Sequence, residues 1–167
     1  MQEQGQSGTR FLRRDVLGGR SLLHRPPWTN EASIRTDCTS CGHCLKACPE
    51  AILVSGPAGT PIVDFNFGAC TFCGACAGAC DENVFADVIQ APWSLAAEVG
   101  PRCLLKAGIS CQSCTDACDE DALRFDLAVR PAGAIRLDLD KCTGCGACVS
   151  VCPVDAISMK HGSEAAA

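Results

Sequence analysis

All 16 cysteines of this chain fall into four groups, and none is left over. Cys142, Cys145, Cys148 and Cys152, followed by Pro153, read C-x2-C-x2-C-x3-C-P. Cys38, Cys41, Cys44 and Cys48, followed by Pro49, repeat that pattern in full. Cys70, Cys73, Cys76 and Cys80 keep the spacing, with Asp81 in place of the proline. Cys103, Cys111, Cys114 and Cys118 form a looser copy, with seven residues between the first two cysteines and Asp119 after the last. A disulfide framework does not sort cysteines this way. Clustered thiols at C-x2-C spacing point to metal ligation and a reducing compartment. Of the 167 residues only 5% are aromatic and none is tyrosine, so an ordinary apolar core is thin. Domains of this size and composition draw folding free energy from metal ligation.

The metal chemistry follows from the spacing. C-x2-C-x2-C-x3-C-P is the run that holds 4Fe–4S clusters. Three thiolates on a tight loop wrap one face of a cubane, and the fourth points away to the cluster of a partner motif. Gly144 and Gly146 let the backbone turn sharply and bring amide N–H groups near the sulfurs. Crossed ligation assigns Cys38, Cys41, Cys44 and Cys80 to one cluster, and Cys70, Cys73, Cys76 and Cys48 to a second. By the same rule Cys103, Cys111, Cys114 and Cys152 hold a third, and Cys142, Cys145, Cys148 and Cys118 a fourth. Four clusters are the expectation. Three remain if the Cys103 motif is not occupied, and without Cys103 that site has three thiolates and becomes a 3Fe or labile site. Zinc is the structural rival, because C-x2-C pairs also make zinc knuckles. Zinc does not call for three cysteines at successive x2 spacings and a fourth at x3.

Between the cysteine loops lie strand patterns. Ala51–Val54 and Ile62–Phe65 flank the turn-rich Ser55–Pro61, and Ala122–Leu127 and Ala134–Leu139 flank Arg130–Gly133. Each pair of motifs thus encloses one hairpin. The expected fold is α+β: two tandem bacterial two-cluster ferredoxin-like units at 38–90 and 103–160. A connector spans 91–102, with one helical turn or an edge strand between Pro92 and Gly100-Pro101. A basic, partly disordered arm spans 1–37, and 161–167 is a disordered tail. Trp28 is expected on the body and Trp93 between the halves. His43 falls in the first cysteine loop, as an exposed residue or a tuner of that cluster.

Charge is uneven. Residues 1–36 carry six Arg against Glu3, Asp15 and Glu31, a net +3. Residues 37–167 carry eight Lys/Arg against sixteen Asp/Glu, a net −8. An acidic body disfavours nucleic acid and favours a basic docking surface on a protein partner. Asp81-Glu82 and Asp119-Glu120-Asp121 crowd two motif ends, where they either lower cluster potential or simply face water. Arg13-Arg14 resembles the start of a twin-arginine signal, but no apolar h-region follows, so export is not expected. No stretch approaches 18 apolar residues, so no spanning helix is expected. There is no Ser-His-Asp set, phosphate loop or dinucleotide fingerprint, and Ser55–Gly59 is only a turn. No enzymatic activity is expected, and no catalytic residue is assigned. All-cysteine ligation suits electron transfer, or cluster storage and delivery.

With these residues in view, the chain resembles the ferredoxin-type NapF family, encoded with bacterial periplasmic nitrate reductases. The resemblance runs from Arg13-Arg14 and Arg25-Pro26-Pro27-Trp28 through the cysteine loops at Cys38–Cys48 and Cys70–Cys80. It continues over Trp93 and the displaced Cys103 to Cys142–Pro153. It implies a cytoplasmic protein that binds the nitrate reductase catalytic subunit, NapA, and helps load its 4Fe–4S cluster before export. The competing classes are an electron carrier that takes electrons from a redox donor, and a wiring component of a membrane oxidoreductase.

Overall fold

Motif spacing leaves few residues between ligand positions, so the elements are short and the turns many. A computed structural model describes residues 24–161. Residues 1–23, with Arg13-Arg14 and most of the basic arm, and 162–167 lie outside the described residues.

Helix α1 (Glu31–Asp37) starts at Asn30, whose side chain accepts from the Ser33 N–H at 2.9 Å. Ser33 Oγ accepts in return from the Asn30 N–H at 3.3 Å. This reciprocal cap satisfies donors that a helix start leaves unpaired. Arg25 ties the helix to the body. It donates to both Glu31 carboxylate oxygens, at 2.6 and 3.1 Å, and to Thr60 Oγ1 and Pro61 O.

Next come α2 (His43–Ala47) and an antiparallel hairpin, β1 (Leu53–Ser55) with β2 (Pro61–Val63), Leu53 facing Val63. After α3 (Ala75–Gly78) and β3 (Leu95–Val99) the pattern repeats with α4 (Ser113–Asp116). Strands β4 (Leu123–Asp126) and β5 (Ala134–Leu137) form the second hairpin, followed by α5 (Ala147–Ser150) and β6 (Ile157–His161). The halves match in detail: Asp64 N–H donates to Ile52 O and Asp138 N–H to Ala122 O, each at 2.8 Å.

Of the two forms open to the connector, the structure takes the strand. β3 pairs antiparallel with β6, Leu95 opposite His161 and Val99 opposite Ile157, so His161, expected to begin the disordered tail, instead ends a paired strand. Leu95, Ala96 and Ala97 are buried there, so apolar contact as well as the ladder holds the strand to the second half. The first half is closed by the chain entering it. Val63 N–H donates to His24 O, Ala86 N–H to Trp28 O, and Trp28 N–H to Pro92 O. Residues 104–107, among the seven that separate Cys103 from Cys111, form one 3-10 turn.

One buried cluster runs through both halves. Ile52, Leu53, Val63 and Phe65 join Leu95, Ala97, Leu123, Ile157 and Met159, with Cys44, Cys76, Cys114 and Cys148 among them. Trp28 packs on the body, 6% exposed, with Nε1 donating to Gln90 O at 2.9 Å. Trp93 lies between the halves. Its ring meets Phe65 and Phe72 edge-on at 5.9 and 5.6 Å, and Nε1 donates to Thr143 O at 3.1 Å.

Candidate metal centres

Each regular cysteine loop is bent by left-handed backbone at fixed places. Ser40 (φ +57), Phe72 (+52) and Gly144 (+76) each precede the second cysteine of a motif. Gly42 (+75), Gly74 (+72) and Gly146 (+82) each follow it and start the helix that carries the third cysteine. A non-glycine residue in this region costs about 1–2 kcal/mol, so Ser40 and Phe72 are held there by the loop around them. A third bend follows the last cysteine in three motifs, the Cys70–Cys80 motif being without it. Ala51, Asp121 and Asp155 have φ +53, +51 and +47, and their N–H groups donate to Cys48, Cys118 and Cys152 O. The loose motif departs on both sides of its second cysteine: Ser110 is not left-handed, and Gln112, at φ −128, stands where the others have glycine.

The bends bring the cysteines to four cavities. Cys38, Cys41, Cys44 and Cys80 wall the first, site A, with His43 and Glu82 at its edge. Cys48, Cys70, Cys73 and Cys76 wall site B, which Pro27 and Trp28 also line. Cys118, Cys142, Cys145 and Cys148 wall site C, a cavity of about 220 Å³ that Cys70, Phe72, Asp119 and Glu120 also line. Cys103, Cys111, Cys114 and Cys152 wall site D. Cys103 reaches site D from the residue before the 3-10 turn, so seven intervening residues do not keep it from Cys111. His43 is the first residue of α2 rather than part of the loop, and it is exposed.

The third cysteine of every motif, Cys44, Cys76, Cys114 and Cys148, is buried, whereas Cys41 and Cys73 are exposed. Burial, reinforced by neighbouring thiols, pushes Cys148 up to about 12. Burial likewise pushes Cys44, Cys70, Cys76 and Cys114 up to about 11. These thiols are therefore protonated at neutral pH until metal displaces the proton.

The donor sets fit 4Fe–4S clusters. Each cavity is lined by four thiols, and among the described residues no three His, Cys, Asp or Glu side chains stand close enough to hold one metal ion. Thiols spread around a cavity suit a cubane, whereas a zinc site draws its sulfurs to about 2.3 Å from a single ion. Spacing alone did not show what covers the sites. Trp28 over site B and Phe72 at site C are walls whose aromatic type was visible but whose partners were not. No helix among the described residues is long and apolar enough to cross a membrane.

Fold and donor sets together define a tandem iron–sulfur ferredoxin of mixed helix and strand. The family model described as a 4Fe-4S dicluster domain matches residues 37–84 and again 109–156, the second match beginning after Cys103. The ferredoxin-type protein NapF of Haemophilus influenzae is 48% identical over 136 residues, covering 81% of this chain and 77% of that protein. NapF of Escherichia coli is 38% identical over 154 residues, covering 89% and 94%. The chain belongs to the ferredoxin-type NapF family. The methylamine utilization ferredoxin-type protein MauM of Methylophilus methylotrophus is 28% identical over 153 residues, covering 79% of this chain and 66% of that protein.

Proposed function

We propose that this chain is a cytoplasmic four-site 4Fe–4S protein that binds the catalytic subunit of a periplasmic nitrate reductase and supplies its cluster before export. The observation that carries the reading is the exposure of Cys41 in site A and Cys73 in site B, in a chain similar to NapF nearly end to end. An exposed ligand is open to attack by an acceptor's thiolate, so a cluster held there is within reach of transfer. A bound 4Fe–4S cluster supplies a one-electron redox centre. Glu82 at site A, Glu50 at site B, and Asp119 and Glu120 at site C present negative charge around the openings, which suits a partner with a basic docking face. The chain contributes no acid–base or nucleophilic chemistry of its own in this role.

Electron transfer is the second reading. The shared core, which packs all four sites into one body, favours it, and the partner would then be a redox donor. The test is to incubate anaerobically purified holo-protein with cluster-free catalytic subunit, separate the two and count iron in each. Iron gained by the acceptor and lost from this chain supports delivery. Iron that stays put, in clusters that still accept electrons from a donor, rejects delivery and leaves electron transfer.

A further inference from the structure

Sites B and C meet across the boundary between the halves. Cys70 N–H donates to Cys145 O at 2.8 Å, which joins a cysteine of site B to one of site C through a single main-chain hydrogen bond. Cys70, Thr71 and Phe72 also wall the site C cavity. Trp93 fastens this contact from the side. It donates to Thr143 O, one residue after Cys142, while its ring packs on Phe72, one residue before Cys73. Two glycines allow the approach. A Cβ on Gly144 would stand 2.8 Å from Trp93 Nε1, and one on Gly146 2.5 Å from Phe65 Cγ and Cε1.

Within each half the crossed cysteines make the other adjacencies. Cys48 leaves the first motif for site B and Cys80 leaves the second for site A, while α2 packs on α3. Cys118 and Cys152 do the same for sites C and D, where α4 packs on α5.

We infer that the four sites form one linear relay in the order A, B, C, D rather than two independent pairs, and that Trp93 is the positioning residue that holds the B–C junction. The inference rests on the reading that the sites hold clusters. It goes beyond that reading by fixing which sites exchange electrons. A low-potential one-electron donor is oxidised as one site is reduced. The electron then passes along the array with no bond made or broken and no proton moved. Sites A and D are the ends, one with the exposed Cys41 and the other with Cys103 brought in from outside its loop.

The test is electron paramagnetic resonance of dithionite-reduced holo-protein, with iron counted on the same sample. The relay predicts magnetic coupling between the halves as well as within each. Trp93→Ala loses the inter-half coupling and keeps the coupling within each half, at unchanged iron content. Trp93→Phe, which keeps a ring between Phe65 and Phe72, retains the inter-half coupling. Wild-type spectra that show only two isolated coupled pairs overturn the relay, and inter-half coupling that survives Trp93→Ala overturns the positioning role of Trp93. Should Trp93→Ala lose iron, the wild-type spectrum still decides. The iron count tests occupancy separately, because an empty site D leaves the A–B–C coupling in place.

Discussion

Gly146 is where a single methyl group tests the packing of one half against the other. It starts α5 at φ +82, next to Cys145, and a Cβ there would lie 2.5 Å from Phe65 Cγ and Cε1. Phe65 is 4% exposed in the shared core and cannot swing into water. Gly146→Ala therefore carries two costs: about 1–2 kcal/mol for a left-handed alanine and about 1–3 kcal/mol for overpacking. Their sum, about 2–5 kcal/mol, is a large part of the roughly 5–15 kcal/mol that holds a typical domain folded. Two other glycines separate the contributions. Gly108 has φ +78 with nothing within 4 Å of its Cβ position, so Gly108→Ala isolates the backbone cost. Gly78, the last residue of α3, has open space and no left-handed φ, so Gly78→Ala stabilises by up to about 1 kcal/mol. The assay is anaerobic urea unfolding of holo-protein, followed by circular dichroism and by absorbance near 400 nm. In a Phe65→Ala background the cost of Gly146→Ala should shrink to that of Gly108→Ala. A Gly146→Ala midpoint no lower than that of Gly108→Ala would refute the packing argument.

Further outcomes follow from particular side chains. Hydrogen bonding from Arg25 holds the Glu31 carboxyl below its ordinary 4.5. A depressed carboxyl contributes stability that is present above pH 4.5 and lost as pH falls through the folded-state value. The exposed pair is worth less than about 1 kcal/mol; Arg25→Ala should return the Glu31 titration, followed by carboxyl NMR, to its ordinary range. Cys103→Ala leaves site D with three thiols, and the oxidised protein should show a 3Fe signal or lose about four irons per chain. Iron and spectrum identical to wild type would show that Cys103 is not a ligand. Because Cys44, Cys70, Cys76, Cys114 and Cys148 are pushed up to about 11–12, iron and sulfide loading releases their protons. Loading measured by absorbance should strengthen as pH rises from about 6 to 9, and a pH-independent loading would contradict this.

The cysteine groups were legible because ligand spacing is local. Three thiols two residues apart need one tight loop, and the glycines and turn residues for it stand beside them. The crossed groupings were legible for the same reason, since the fourth cysteine lies on the turn leaving that loop. Hairpins at 53–63 and 123–137 showed in apolar strand patterns and turn chemistry, to within two residues at each end. Segment 91–102 was harder. Leu95–Val99 is short, apolar and bounded by proline and glycine, which suits a turn of helix or a strand. Its partner, Ile157–His161, lies some sixty residues away and decides the matter. Cys103 was the least regular ligand in sequence, and only the fold at Val99–Leu105 shows how it arrives at site D.

By itself, the sequence determined the chemistry of this protein: sixteen thiols, grouped at the spacing of 4Fe–4S ligands, on an acidic body. That information is local, written in residues within about fifteen positions of each other, and thiolate ligation is directional enough to be read there. The tertiary structure alone decided how the halves sit. The Cys70–Cys145 hydrogen bond, Trp93 against Phe65 and Phe72, and Gly146 under Phe65 join residues twenty to eighty positions apart. No spacing rule encodes such contacts. They arise because the thin apolar surface of each half finds cover only against the other, and that burial sets which sites face each other across the junction.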